Sequence, residues 1–133
     1  MLGADHKALL LAVEHRFYGK SQPFQDWSLD SFKYFNTEQA LADLANIIRH
    51  FKQDNPDRRV IVIGGSYPGA LSAWFREKYP HLTTAAWSSS GVVYPVADMW
   101  QFDEQIYQAT SSDSEACPQI IQDITKKVEA GIS

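Results

Sequence analysis

A serine among small residues is the feature of this sequence best suited to chemistry. Ser66 follows Gly64 and Gly65, which come directly after the β-branched run Val60–Ile63. β-branched residues favour a strand. A serine at a very tight strand-to-helix turn is thrust away from the sheet, and the residues two positions from it must be small because they nearly collide. The pattern therefore predicts Ser66 as a nucleophile.

Pro68 stands where such a turn normally has a second glycine. Proline is tolerated in the first turn of a helix, where its missing N–H would have no intrahelical partner. The backbone N–H of Tyr67 remains, and in these turns the residue after the serine donates that N–H to the oxyanion. We therefore predict Tyr67 as an oxyanion donor through its backbone.

The turn has two other possible interpretations, a phosphate-binding loop and a glycine-rich turn with a capping serine. A phosphate-binding loop would have a lysine after the glycines or the spacing G-x-G-x-x-G, and the sequence has neither. A glycine-rich turn with a capping serine stays open. The four histidines and the single cysteine are scattered, without the spacing of a metal site, so neither a metal nor a cofactor is expected.

The elements around the turn alternate between strands and helices. The apolar run Ala8–Val13 reads as a strand buried on both faces or as a piece of buried helix. A helix is predicted to begin after Asn36, which caps it, and a second one to end at Pro80. Further strands are predicted over Val60–Ile63 and Thr83–Trp87. Such alternation predicts an α/β fold with a parallel sheet and flanking helices.

The pattern becomes helical beyond Pro95. We expect residues 1–95 to form a partial α/β core and residues 96–133 to begin a separate helical lobe.

Composition excludes several classes of protein. The chain has 133 residues, of which 44% are hydrophobic, and a net charge of -4, so it is globular and lacks the basic surface of a nucleic-acid binder. Its apolar runs fall short of the roughly 20 residues of a membrane span. Asp5 and His6 stand where a secretory signal would be apolar.

Several segments of the sequence occur together in a recognisable order. They are Glu14–Ser21, Glu38–Asp43, residues 64–67, residues 73–76 and residues 78–81. In this order they resemble one family of serine carboxypeptidases, which includes lysosomal Pro-Xaa carboxypeptidase, dipeptidyl peptidase II and thymus-specific serine protease. The resemblance runs from about Ala8 to Val93, and Pro68 is its main departure.

The resemblance implies an α/β-hydrolase fold with a helical cap insertion that starts near Ala97. It implies a serine exopeptidase that cleaves after proline, or releases amino-terminal dipeptides, through an acyl-enzyme on Ser66. Its partner would be a peptide with proline near the scissile bond. The whole protein would be secreted or lysosomal (vacuolar), and Cys117 would be a candidate to pair with a cysteine outside this chain.

The catalytic acid and base are not found in this sequence. The triad order of these hydrolases is Ser, Asp, His, and His81 is the sole histidine after Ser66. A helix of about 20 Å would carry His81 to the opposite end of the sheet. We therefore expect an internal piece of a longer hydrolase, inactive when isolated. An esterase, or an inactive fragment that acts by binding, remains an alternative.

His15 lies at the end of the first predicted strand, near the catalytic edge. We interpret Glu14, His15 and Arg16 as a polar cluster that braces the following loop, rather than as catalytic groups. Glu14 is the one residue of the chain suggested for substrate binding.

Overall fold

The computed structural model describes residues 2–132, which divide into two compact units between Val93 and Tyr94. In chain order the elements are α1 (Leu2–Asp5), α2 (Leu29–Phe32), α3 (Thr37–Lys52), β1 (Ile61–Gly65), α4 (Tyr67–Lys78), β2 (Ala85–Ser89), α5 (Trp100–Ser111) and α6 (Ala116–Ile132). The first unit contains helices α1 to α4 and strands β1 and β2, and the second contains helices α5 and α6.

Strands β1 and β2 form a parallel pair that α4 connects. The register runs from Ile61 opposite Ala85 to Gly65 opposite Ser89. Both strands lie where the sequence predicts them, displaced by one or two residues toward the carboxyl end. The mixture of helices with a parallel sheet agrees with the predicted α/β class.

Helix α3 begins where its capping residue predicts. The Asn36 side-chain oxygen accepts a hydrogen bond from the Gln39 backbone N–H at 2.9 Å, and this bond satisfies a donor that has no partner within the helix. The buried face of α3 carries Leu41, Ala45 and Ile48. The helix thus brings an apolar stripe to the core.

The core of the first unit lies between α3, α4 and one face of the sheet. Phe75 of α4 is fully buried and clusters with the α3 stripe, Val62 of β1 and Leu82. The opposite sheet face carries Ile63 and Trp87, which are paired in register and exposed by 66% and 59%. Within the described residues, helices therefore cover one face of the sheet.

The strand predicted over Ala8–Val13 is wrong, and so is the alternative of a buried helix. Residues 8–15 have no regular secondary structure, and Leu10 is 70% exposed. A strand needs a hydrogen-bonded neighbour, and in the described chain β1 and β2 pair with each other alone. The segment from Lys20 to Phe35 contains the short helix α2.

The second unit is a pair of helices. Helices α5 and α6 contact each other, and the predicted helical pattern beyond Pro95 is present in both. Whether residues 96–133 begin a cap insertion stays a prediction. No helix in the described part of the chain is long and apolar enough to cross a membrane.

Candidate functional site

Ser66 lies at the joint between β1 and α4 in a strained backbone conformation. Its φ is 58° and its ψ is -125°, values that residues with a side chain rarely adopt and that cost about 1–3 kcal/mol. The Ser66 N–H donates to the Ser89 carbonyl at 2.9 Å, and its carbonyl accepts from the Ala70 N–H at 3.1 Å. The turn is therefore fixed by β2 on one side and by α4 on the other.

The hydroxyl of Ser66 takes no part in capping the helix. Although Ser66 is the N-cap of α4, its side chain makes no capping hydrogen bond, whereas N-cap serines commonly accept one from the first turn. The residue is exposed. The Ser66 hydroxyl is therefore not tied to the helix, on a residue that is accessible to solvent.

Close backbone packing explains the glycines around the serine. A Cβ added to Gly64 would overlap the carbonyl group of Pro68, and one added to Gly69 would lie 2.8 Å from the Ser89 carbonyl oxygen. The crowding predicted at Gly64 is thus present. Pro68 occupies the first turn of α4, the position where the sequence predicts that it is tolerated.

In the first turn of α4, Tyr67 is an exposed residue that keeps its backbone N–H. The first N–H groups of a helix have no intrahelical acceptor. Pro68 has no N–H, and Gly69 is buried. The positive end of the helix dipole lies at the same place and favours negative charge.

The side chain of Tyr67 is held by two residues from distant parts of the sequence. Its hydroxyl lies 3.3 Å from His15 Nε2 and 3.2 Å from Thr37 Oγ1. An open cavity of about 280 Å³ lies beside it, lined by His15, Tyr18, Phe35, Asn36, Thr37 and Tyr67. The cavity adjoins the residue that follows Ser66.

Arg16 fastens the segment before the loop to α3. Its Nε and Nη2 atoms each donate to the Asp43 carboxylate at 2.7 Å, the two-pronged geometry that makes arginine–carboxylate pairs specific. Nη1 also donates to the Tyr34 carbonyl at 3.0 Å. These contacts bear out the predicted bracing role for Arg16.

Glu14 closes the turn that follows it. Its carboxylate accepts from the backbone N–H groups of Lys20 at 3.1 Å and Ser21 at 2.9 Å. Hydrogen bonding from the Ser21 side chain, followed by these backbone bonds, lowers the pKa of Glu14 from its ordinary value against an opposing effect of desolvation. Gly19, with φ of 50°, packs so closely against the carboxylate that a Cβ there would overlap it. Substrate binding by Glu14 stays a prediction.

The remaining sequence candidates lie apart from Ser66. His81 follows the carboxyl end of α4, whereas Ser66 precedes its amino end. Cys117 is a free, exposed thiol. Residues 2–132 contain no group of three or more potential metal ligands close enough to hold an ion.

Sequence reasoning missed the contact between His15 and Tyr67. The two residues are separated by 52 positions, and no local pattern connects them. The sequence placed His15 near the catalytic edge through a predicted strand over residues 8–13, which the structure does not contain.

A strained serine between a strand and a helix, beside a backbone N–H, has the form that acyl transfer requires. In a comparison with known proteins, the family described as serine carboxypeptidase S28 matches residues 1–132. The chain belongs to this family.

Individual relatives are similar over most of this chain. Bovine lysosomal Pro-X carboxypeptidase is 39% identical over 135 residues, covering 97% of this chain and 27% of that protein. The human protein of the same name is 45% identical over 106 residues, covering 75% and 20%. The probable serine protease EDA2 of Arabidopsis thaliana is 35% identical over 142 residues, covering 99% and 28%. The chain thus spans less than a third of these relatives.

Gly64→Ala should destabilise the first unit by about 1–3 kcal/mol, the usual cost of overpacking, because the new methyl group would meet backbone rather than a flexible side chain. Urea unfolding of the chain measures this. Gly131→Ala is the matched control, since a Cβ there meets nothing within 4 Å. Equal stability of the two variants would contradict the crowding described for the turn.

Titration of Glu14 by NMR should give a pKa below the ordinary value of 4.5. Because the folded pKa is lowered, the turn gains stability above pH 4.5, and that gain is lost as the pH falls through the lowered pKa. Ser21→Ala should raise the pKa toward 4.5, while Ser111→Ala, a serine bonded elsewhere, should leave it unchanged. A Glu14 pKa at or above 4.5 in the native chain would refute this account.

Proposed function

We propose that this chain carries the nucleophile of a serine-type exopeptidase, with Ser66 as the attacking residue and Tyr67 as an oxyanion donor. The observation that carries the proposal is the backbone of Ser66, with φ of 58° and ψ of -125°, at the junction of β1 and α4. A turn of this shape is the nucleophile elbow of α/β hydrolases.

In the proposed reaction, Ser66 Oγ forms a bond to the carbonyl carbon of the scissile peptide and loses its proton to a base. The carbonyl oxygen becomes an anion, which the Tyr67 N–H stabilises by a hydrogen bond. Collapse of this intermediate breaks the C–N bond, and the amine leaves with the proton from the base. Water then hydrolyses the acyl-enzyme by the same steps, and Ser66 recovers its proton.

The base and its orienting acid belong, in this proposal, to parts of the whole protein beyond these residues. His81 lies at the wrong end of α4. The His15 ring lies within hydrogen-bond distance of the Tyr67 hydroxyl, and within residues 2–132 no hydrogen bond joins this ring to Ser66. The coverage of less than a third of the relatives is consistent with a triad that is completed elsewhere.

An α/β-hydrolase fold is the architecture that we propose for the whole protein. Parallel sheets in such folds are covered by helices on both faces, and the exposed face that carries Ile63 and Trp87 would be covered by other parts of the protein. Residues 96–133 would begin the cap insertion. Cys117, exposed and free here, would be available for a disulfide with a cysteine of the whole protein.

We propose peptides with proline before the scissile bond as substrates. Two relatives are named lysosomal Pro-X carboxypeptidases, which favours carboxyl-terminal trimming over dipeptide release and a lysosomal location over secretion. The cavity beside Tyr67, with its aromatic walls and volume of about 280 Å³, is large enough for a pyrrolidine ring. Glu14 remains a candidate to contact the substrate.

A fluorophosphonate probe should label Ser66 in the whole protein, because it reacts with activated serines. Ser66→Ala should abolish the labelling, while Ser112→Ala, an exposed serine in the second unit, should leave it intact. The labelled protein should hydrolyse a prolyl peptide faster than a short acyl ester. Undiminished labelling of Ser66→Ala would refute the proposal, and a preference for the ester would reassign the substrate class.

The isolated chain of 133 residues should show no measurable turnover of a prolyl peptide. Serine is a poor nucleophile at neutral pH without a base, and within residues 2–132 no histidine or carboxylate hydrogen-bonds to Ser66. A sensitive fluorogenic assay of the purified chain measures this. Turnover by the chain that disappears in Ser66→Ala would show that a base is present after all.

A further inference from the structure

A chain of hydrogen bonds runs from the Arg16 carbonyl through the His15 ring to the Tyr67 hydroxyl. The bond to the Arg16 carbonyl determines which atom donates in each of the following bonds. His15 Nδ1 lies 2.7 Å from the carbonyl oxygen of Arg16. A carbonyl only accepts, so Nδ1 carries the proton, and in the neutral ring Nε2 is then an acceptor. With the ring neutral, the Tyr67 hydroxyl, 3.3 Å away, donates to Nε2.

Thr37 completes the pair of contacts to the phenol. With its own proton directed at His15, the Tyr67 oxygen is left as an acceptor, and Thr37 Oγ1 at 3.2 Å donates to it. The hydroxyl of Tyr67 thus has a donor on one side and an acceptor on the other. The phenol is held in one orientation.

Both partners of Tyr67 are themselves fixed. The His15 ring packs edge-on against Tyr18 and Phe35, with centroids 5.5 and 5.8 Å away. The Arg16 carbonyl that accepts from His15 belongs to a residue bound to α3 through Asp43. Thr37 is the first residue of α3, directly after its cap. The phenol therefore rests on two anchored segments rather than on mobile side chains.

The side chain of Tyr67 links these two anchored segments to the Tyr67 backbone N–H, which is the oxyanion donor in the proposed reaction. The peptide plane between Ser66 and Tyr67 carries the Tyr67 N–H, and its orientation depends on the strained ψ of Ser66, -125°. Holding the Tyr67 side chain limits movement of its Cα and so limits rotation of this plane. Oxyanion donors act through preorganisation, so a small rotation reduces their effect.

We propose that His15 and Thr37 are positioning residues, which hold the phenol of Tyr67 and thereby aim its backbone N–H at the oxyanion. This inference rests on the proposed function and adds two residues that contact neither Ser66 nor the N–H itself. It gives His15 a role at the site without making it the base.

The test compares hydrolysis and transition-state binding in the whole protein. Tyr67→Phe keeps the ring but removes both hydrogen bonds. It should lower kcat about tenfold, less than the roughly 100-fold loss when a whole oxyanion donor is removed, and should leave KM within about twofold. The inhibition constant of a prolyl boronate, which forms a tetrahedral adduct on the serine, should rise by the same factor as kcat falls. Unchanged kcat and boronate binding in Tyr67→Phe would overturn the proposal.

Further variants separate positioning from general damage. Thr37→Val should reproduce part of the loss, and Thr37→Ser, which keeps the hydroxyl, should restore it. Tyr79→Phe makes the same chemical change at the far end of α4 and should alter neither constant. If Thr37→Ser is as impaired as Thr37→Val, the hydroxyl is not responsible and the proposal fails. Turnover that survives in Ser66→Ala would instead overturn the proposed function.

Discussion

The backbone of Ser66 is held in a conformation that a residue with a side chain avoids, and the rest of the site depends on what holds it there. The strain of about 1–3 kcal/mol is sustained by hydrogen bonds from both sides, to Ser89 of β2 and from Ala70 of α4. The bond to Ser89 requires that β1 and β2 pair in their parallel register, and the bond from Ala70 requires the first turn of α4. The core formed by α3, α4 and the sheet therefore helps to hold the backbone of Ser66 in its strained conformation.

The same constraint explains which residues surround the serine. Gly64 and Gly69 are the positions where backbone meets backbone, one against Pro68 and the other against Ser89. Pro68 fits because the first turn of a helix needs no N–H there. Gly69 is buried, so Tyr67 is the exposed residue of this turn that keeps an N–H. The chain in which these contacts occur belongs to the serine carboxypeptidase S28 family.

The turn and its neighbouring elements were predictable from the sequence because their causes are local. Crowding around Ser66 acts between residues two positions apart, and the Asn36 cap acts within one helical turn. The run Ala8–Val13 does not form the predicted strand, because apolar character alone does not show whether a neighbouring strand is present to pair with it. The Arg16–Asp43 pair and the contacts of Tyr67 with His15 and Thr37 join distant segments, so no local pattern encodes them.

A structure of the whole protein with a phosphonate or boronate bound to its nucleophile would test the central claim most directly. The account predicts a covalent bond from Ser66 Oγ, an unchanged positive φ at Ser66, and an adduct oxygen roughly 2.7–3.1 Å from the Tyr67 backbone nitrogen. An adduct on another residue, or one whose oxygen points away from the Tyr67 N–H, would contradict it.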